Sequence, residues 1–322
     1  MADRVISAQD AILAFDVGGT RMKTGIIRGD TLIKGEVVAL NHTAGDQTDD
    51  VLGSIIRLSR AALAQHTISA IGLSLRGIVD PQSGIILDVN EALRELIHVP
   101  LGERLSQELG RPIFVENDAR MYTLGEFIHG AGRGYQNMLC LTLGTGVGSG
   151  VVIGGRLLRG QRSIRGILGG HLTIQANGPR CSCGNVGCLE ALVGTSALIR
   201  QIEEGLAKDP SSLLHTTAHT PRHLFAAAAQ HDRLALAIVD TFAHHLGCGI
   251  VSLIHAYDPD VVVLGGGFIH SHQLFLSAVQ AYVNSHAWTI PRGRVAIVPA
   301  ALGDMAALFG VAASISQPDI YL

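Results

Sequence analysis

The chain has 322 residues, 47% hydrophobic and 16% charged, a length that suits two middling domains and a composition able to bury a sizeable core, so disordered and fibrous classes are excluded. With 27 acidic against 24 basic residues, a net charge of −3 and only 4% aromatics, it lacks the basic, aromatic-interleaved surface that nucleic-acid binding needs. Asp3, Arg4 and Asp10 break up the N-terminus and Asp240, His244 and His245 interrupt the longest apolar span, Leu234 to Tyr257, so neither a signal peptide nor a bilayer helix is expected and the protein reads as cytoplasmic, without a membrane partner.

Ile12 to Phe15, Thr24 to Ile27 and Leu32 to Val38 read as a three-stranded meander, its last turn at Arg28-Gly29-Asp30. Val51, Ile55, Leu58 and Ala62 recur at helical spacing within 47–64, and the apolar run Ile68 to Leu75 reads as a buried strand. A β-like stretch from Gly84 to Val89, a helix near Leu101 to Leu109 and a short strand Ile113 to Val115 follow. The pattern restarts at Met138, where Met138 to Leu143 and Val147 to Ile153 flank the turn Gly144-Thr145-Gly146. A long helix from Leu234 to Tyr257, a strand Val261 to Leu264, a helix near Gln273 to Ser285, a strand Val295 to Val298 and a last helix near Met305 to Ile315 complete the chain. Both halves run strand, glycine turn, strand, then helices and further strands, which predicts two related α/β lobes with a ligand cleft between them.

Asp16-Val17-Gly18-Gly19-Thr20 lies between two predicted strands, where the amides and the Thr20 hydroxyl can face an anion and Asp16 can hold Mg²⁺ or its waters. A plain hairpin fits the same residues. The phosphate reading gains from Leu143 to Gly150 in the equivalent place of the second half, because two facing glycine hairpins fit one triphosphate. Neither loop matches the Rossmann or P-loop pattern. Gly265-Gly266-Gly267 after a strand would leave bare backbone for an adenine or ribose.

Five cysteines, at 140, 181, 183, 188 and 248, make a poor disulfide framework. Cys181, Cys183 and Cys188 share a glycine-rich loop and His171 precedes it by ten residues, a Cys₃His set suited to a structural zinc with no open coordination position. Cys140 and Cys248 read as core thiols. Asp118 ends a buried strand ahead of a helix expected from about Ala119, where an N-cap and a general base both fit. In a nucleotide cleft, Asp118 would take a proton from an attacking hydroxyl while Asn117 fixes a neighbouring one, and the metal would hold Glu190 in place. His244-His245 shows no ligand spacing.

Taken together these motifs resemble the ROK family of sugar kinases and sugar-responsive regulators, within the actin-like and hexokinase-like ATPase superfamily. The resemblance implies two actin-like (ribonuclease H-like) lobes, 1–117 and 118–304, with a helix in 305–322 packing back on the first. It also implies ATP-dependent phosphorylation of a hexose or related polyol at the 6-hydroxyl, glucose-type by default. ATP would meet Asp16, Gly18, Gly19, Thr20, Lys23, Gly144, Thr145, Gly146 and Gly266, with Mg²⁺ at Asp16. Zinc would sit on His171, Cys181, Cys183 and Cys188, and the sugar would touch Asn90, Asn117, Asp118, His171 and Glu190, with Asp118 the general base. A homodimer or homotetramer is implied as well.

Three departures stand out. Leu168-Gly169-Gly170-His171 replaces the family's Glu-x-Gly-His, which removes an acceptor near the anomeric carbon and predicts either a high KM for glucose or a substrate that lacks or masks that hydroxyl. Arg76 stands in Ser74-Leu75-Arg76-Gly77 where proline is more usual, and the loop after Asn90 lacks Asn-Leu-Pro-Gly. The ten residues ahead of Ala11 are too few for the helix-turn-helix of a regulator, so a kinase is expected. The alternative that Leu168 motivates is a sugar-sensing or weakly catalytic protein that does not bind DNA.

Overall fold

The computed structural model describes residues 6–19, 21–40, 51–80, 82–89, 91–160 and 164–322. In chain order these form β1 (Ile12–Val17), β2 (Arg21–Arg28), β3 (Thr31–Ala39), α1 (Val51–Gln65), β4 (Ala70–Leu75), β5 (Ile78–Val79), β6 (Ile86–Asp88), α2 (Leu101–Leu109), β7 (Ile113–Asn117) and α3 (Asp118–His129). There follow β8 (Met138–Leu143), β9 (Val147–Ile153), β10 (Arg156–Leu157), α4 (Leu189–Val193), α5 (Thr195–Leu206), α6 (Pro221–Ala229) and α7 (Arg233–Tyr257). The last are β11 (Val261–Gly265), α8 (Leu276–His286), β12 (Ala296–Pro299) and α9 (Ala306–Ser316). The chain divides into two compact units. One takes the chain up to Arg133 with Arg156–Arg165 and Asp304–Leu322, and the other takes Gly134–Gly155 and Gly166–Gly303. The first unit therefore runs past residue 117 to include α3, and it also holds a short stretch from the middle of the chain.

The first unit's sheet has the order β3-β2-β1-β4-β7. β1 and β2 pair antiparallel, as do β2 and β3, while β1, β4 and β7 run parallel. Register sets Asp16 between Lys23 and Ser74, and Leu75 beside Asn117. The carboxyl ends of three parallel strands thus bring Asp16, Arg76-Gly77 and Asn117-Asp118 to one edge, the usual place for ligands in an α/β sheet. On one face Phe15, Ile55, Leu73, Leu101 and Leu105 join the core with α1 and α2. On the other, α9 packs so closely that a Cβ on Gly72 would lie 2.2 Å from Val311 Cγ1. The α3–α9 crossing brings backbone against backbone: a Cβ on Gly125 would lie 1.9 Å from Ala306 O, and one on Gly310 1.8 Å from Met121 O.

The second unit's longer strands lie in the order β9-β8-β11-β12, with β9 antiparallel to β8 and the others parallel. Its central helix is α7, whose Ile238, Phe242, Leu246, Ile250 and Leu253 are buried. By length and composition α7 could span a bilayer, but half of its apolar window is buried within the protein. Phe225, Phe242, Phe268 and Phe275 interlock mostly edge to face beside it. The helix expected near Gln273 to Ser285 is α8, which starts three residues later because the stretch before it, Gly267–Leu274, is 3₁₀.

Candidate active site and metal centre

In the first unit Asp16 is held from both sides by the strands that flank it. Ser74 Oγ donates to its Oδ1 at 3.0 Å and Lys23 Nζ lies 3.3 Å from its Oδ2. Lys23 also meets Asp304 at 3.3 Å. The Gly18 N–H donates to Arg21 O at 3.0 Å and closes the turn of the first glycine hairpin. Thr20 and Asn90 lie outside the described residues.

Asp118 is the first residue of α3, and the N-cap is Asn117, whose Oδ1 accepts the Arg120 N–H at 3.1 Å. The capping role considered for Asp118 thus belongs to its neighbour, because β7 delivers Asn117 in the extended conformation that an N-cap requires. Asp118 Oδ1 accepts from Ala119 N at 2.8 Å and from Asn117 Nδ2 at 3.1 Å. Both bonds fall on one oxygen, which leaves Oδ2 as an acceptor. Although part of the residue stays exposed, burial pushes its carboxyl up to about 6 against the pull of the Arg76 guanidinium, and the Asp16 carboxylate adds to the rise. Asn117 spends its second Nδ2 hydrogen on Gly77 O at 2.9 Å. Its amide is committed to protein groups, and its part here is to hold Asp118.

Beneath this pair lies an ion pair that the sequence reading passed over. Glu116 Oε1 accepts from Asn117 N and from Arg120 Nη1, both at 2.9 Å. Arg120 is fully buried, and its Nη2 donates to Arg165 O at 3.0 Å and Arg159 O at 3.3 Å. The only signal in the sequence was a glutamate and an arginine four residues apart across a strand-to-helix junction.

In the second unit, Gly144 N donates to Gly146 O at 3.1 Å and closes the other glycine hairpin. Thr195, at the start of α5, donates to Gly144 O from N at 3.1 Å and from Oγ1 at 3.0 Å. Gly266 has φ +81°, and a Cβ there would lie 2.4 Å from Leu143 O, so glycine is required where β11 ends against β8. At Gly267 the space is open.

The donor atoms of His171, Cys181, Cys183 and Cys188 all lie within 4.8 Å of one another. His171 Nδ1 is 3.5 Å from Cys181 Sγ, and Cys183 Sγ is 3.7 Å from Cys188 Sγ. A tetrahedron with Zn–S of about 2.3 Å and Zn–N of about 2.0 Å has edges of roughly 3.5 to 3.8 Å. The residues therefore fit zinc. Burial and the bond to Cys183 push the Cys188 thiol up to about 12, and burial also raises that of Cys181; a dication would reverse both by stabilising thiolates. Using Nδ1 in this set leaves the Nε2 of His171 outside it. Close backbone approach builds the loop: a Cβ on Gly187, at φ +67°, would lie 1.6 Å from Gln175 O, and one on Gly170 2.0 Å from Val147 O. Leu168, 36% exposed, begins the short 3₁₀ turn that delivers His171. Of the remaining thiols, Cys140 is buried in β8, while Cys248 is half-buried, 3.0 Å from Tyr282 Oη.

Glu190 divides its carboxylate. Oε2 accepts from Val147 N at 2.9 Å and Oε1 from Ser182 Oγ at 3.1 Å. The first unit thus holds a carboxylate with a raised pKa, and the second a glycine hairpin joined through Glu190 to the loop of the four donors.

The sequence signature of the ROK family matches residues 12–317. The chain is 32% identical over 311 residues to a glucokinase of Thermotoga maritima, covering 95% of this chain and 97% of that protein. A ROK family glucokinase from Streptomyces griseus, solved in complex with glucose and AMPPNP, superposes with a TM-score of 0.81 at 28% identity, over 94% of this chain and 98% of the other. A ROK hexokinase from Thermus thermophilus does so with a TM-score of 0.76 at 34% identity, over 96% and 99%.

Proposed function

From the premise that this chain belongs to the ROK family, we propose that it is an ATP-dependent kinase for a hexose, glucose-type by default, acting at the 6-hydroxyl. The observation that carries this is Asp118, the first residue of α3, whose pKa burial raises to about 6 and whose Oδ2 lies outside the two bonds on Oδ1. As the hydroxyl oxygen attacks the γ-phosphorus, its proton passes to Asp118, the new O–P bond forms, and the bond to the leaving ADP oxygen breaks. A base whose pKa lies just below neutrality is ionised at pH 7 yet still basic enough to accept that proton. Gly18 and Gly19 in the first unit and Gly144, Thr145 and Gly146 in the second are the phosphate contacts we assign, with Gly266 toward the nucleoside and Lys23 beside Asp16. Mg²⁺, for which Asp16 is the candidate ligand, would neutralise charge on the β- and γ-phosphates. Zinc on His171, Cys181, Cys183 and Cys188 would supply the order of the loop that carries Glu190. His171, through Nε2, and Glu190 are the sugar contacts assigned in the second unit.

Exposed Leu168 favours a second reading of the substrate. It offers an apolar wall beside His171, which suits a sugar without a free anomeric hydroxyl. The same proposal includes a cytoplasmic location and a homodimer or homotetramer, the association alone being supported by the exposed Trp288 and Ile290, at 80% and 87%. ADP release measured with ATP against glucose, other hexoses, N-acetylhexosamines, and deoxy or anhydro analogues tests the reading. Turnover with glucose supports the default, turnover confined to sugars lacking the anomeric hydroxyl supports the second, and none with any sugar removes the kinase assignment.

A further inference from the structure

We propose that Ser182 and Glu190 tie the metal loop to the phosphate hairpin, so that the order of that loop sets nucleotide affinity; this rests on the reading that the hairpin takes nucleotide phosphates and the loop holds zinc. Ser182 stands between Cys181 and Cys183, so its position is fixed by two ligands of the centre without its being a ligand itself. Its hydroxyl donates to Glu190 Oε1 at 3.1 Å. The other oxygen of the same carboxylate accepts the N–H of Val147, the residue that leaves the hairpin, at 2.9 Å. Gly146 is shaped to this contact: a Cβ there would lie 2.3 Å from Glu190 Oε2. On its other side the hairpin hangs from Thr195, and α4 and α5 are joined by Gly194, whose N–H donates to Glu190 O at 2.8 Å. One carboxylate therefore carries any displacement of the loop to the backbone amides that would meet phosphate. Ser182 and Glu190 act here as positioning residues.

The test titrates the ATP analogue AMPPNP by calorimetry, without sugar, into the full chain loaded with zinc, and measures metal in the same samples. Ser182→Ala should keep one zinc and weaken AMPPNP binding about three- to tenfold, the size expected for one hydrogen bond to a charged acceptor acting at second hand. Ser182→Thr, which keeps the hydroxyl, should restore it. Gly146→Ala should also weaken binding, and should weaken it less in a Glu190→Ala background, where the obstructing carboxylate is gone. Unchanged affinity in zinc-loaded Ser182→Ala overturns the proposal, as do additive losses in the Gly146/Glu190 cycle. If Ser182→Ala loses zinc, the cycle decides. Wild-type protein that fails to bind AMPPNP or zinc overturns the functional reading itself, a result distinct from wild-type binding that the variants leave untouched.

Discussion

Asp118 keeps an ionised carboxylate where burial resists it, and that resistance has two measurable consequences. The base form is lost as pH drops through about 6, so kcat should decline below that pH with the slope of one proton, and Asp118→Asn should lower kcat at pH 7 by about 10²-fold or more. The stability effect has the opposite sign. An acid whose folded pKa is raised above 3.8 binds its proton more tightly in the native state, so ionising it opposes folding above about pH 6, and the opposition fades as pH falls toward 3.8. Asn at 118 still accepts from Ala119 and Asn117, so this variant should be stabilised at pH 7 by about 1 to 3 kcal/mol, allowing for partial solvent screening. A lower Tm in Asp118→Asn, or kcat near wild type, would remove the assignment. Asp118 and the Cys₃His set were legible in the sequence because their residue types are themselves the chemistry. Arg120, Glu116 and the commitment of Asn117 were not, since a buried arginine acquires meaning only from carbonyls 39 and 45 residues away.

At the scale of elements, the α3–α9 crossing fixes the helix that begins with the proposed base. A glycine-to-alanine change in an exposed helix stabilises by up to about 1 kcal/mol. At Gly310 the new methyl would meet Met121 O at 1.8 Å, so the helices must separate and overpacking wins. Gly310→Ala should destabilise by about 1 to 3 kcal/mol, read by thermal unfolding; a raised Tm would show that the helices do not meet so closely. The strands were readable from apolar runs bounded by glycine turns. The closeness of α3 to α9 was not, because small residues give no periodic signal of what lies across from them. Nor were α4, α5 and α6, short helices in a stretch rich in alanine, glycine and polar residues, or the start of α8, where 3₁₀ turns carry the same apolar spacing as a helix.

Across the whole molecule, the four donors of the Cys₃His cluster belong to one unit alone. Removing zinc with a strong chelator should lower the thermal transition of the second unit by on the order of 5 °C or more and leave that of the first in place; an unchanged thermogram would show that the four donors hold no metal. The restart of the pattern at Met138 revealed two units in the sequence, but not their border. Arg156–Arg165 joins the first unit through hydrogen bonds from Arg120, and a sequence pattern does not announce such tertiary contacts. The chain consequently passes from one unit to the other four times, and α9, which covers Gly72 on β4, comes about 230 residues after it. At synthesis rates of about 5 to 20 residues per second, a ribosome needs roughly 10 to 50 s to deliver that cover. The sheet made first is thus the one finished last, and the nascent chain carries an open apolar face through most of its own translation, a natural substrate for chaperones and the point at which crowding or a stalled ribosome would divert it to aggregates.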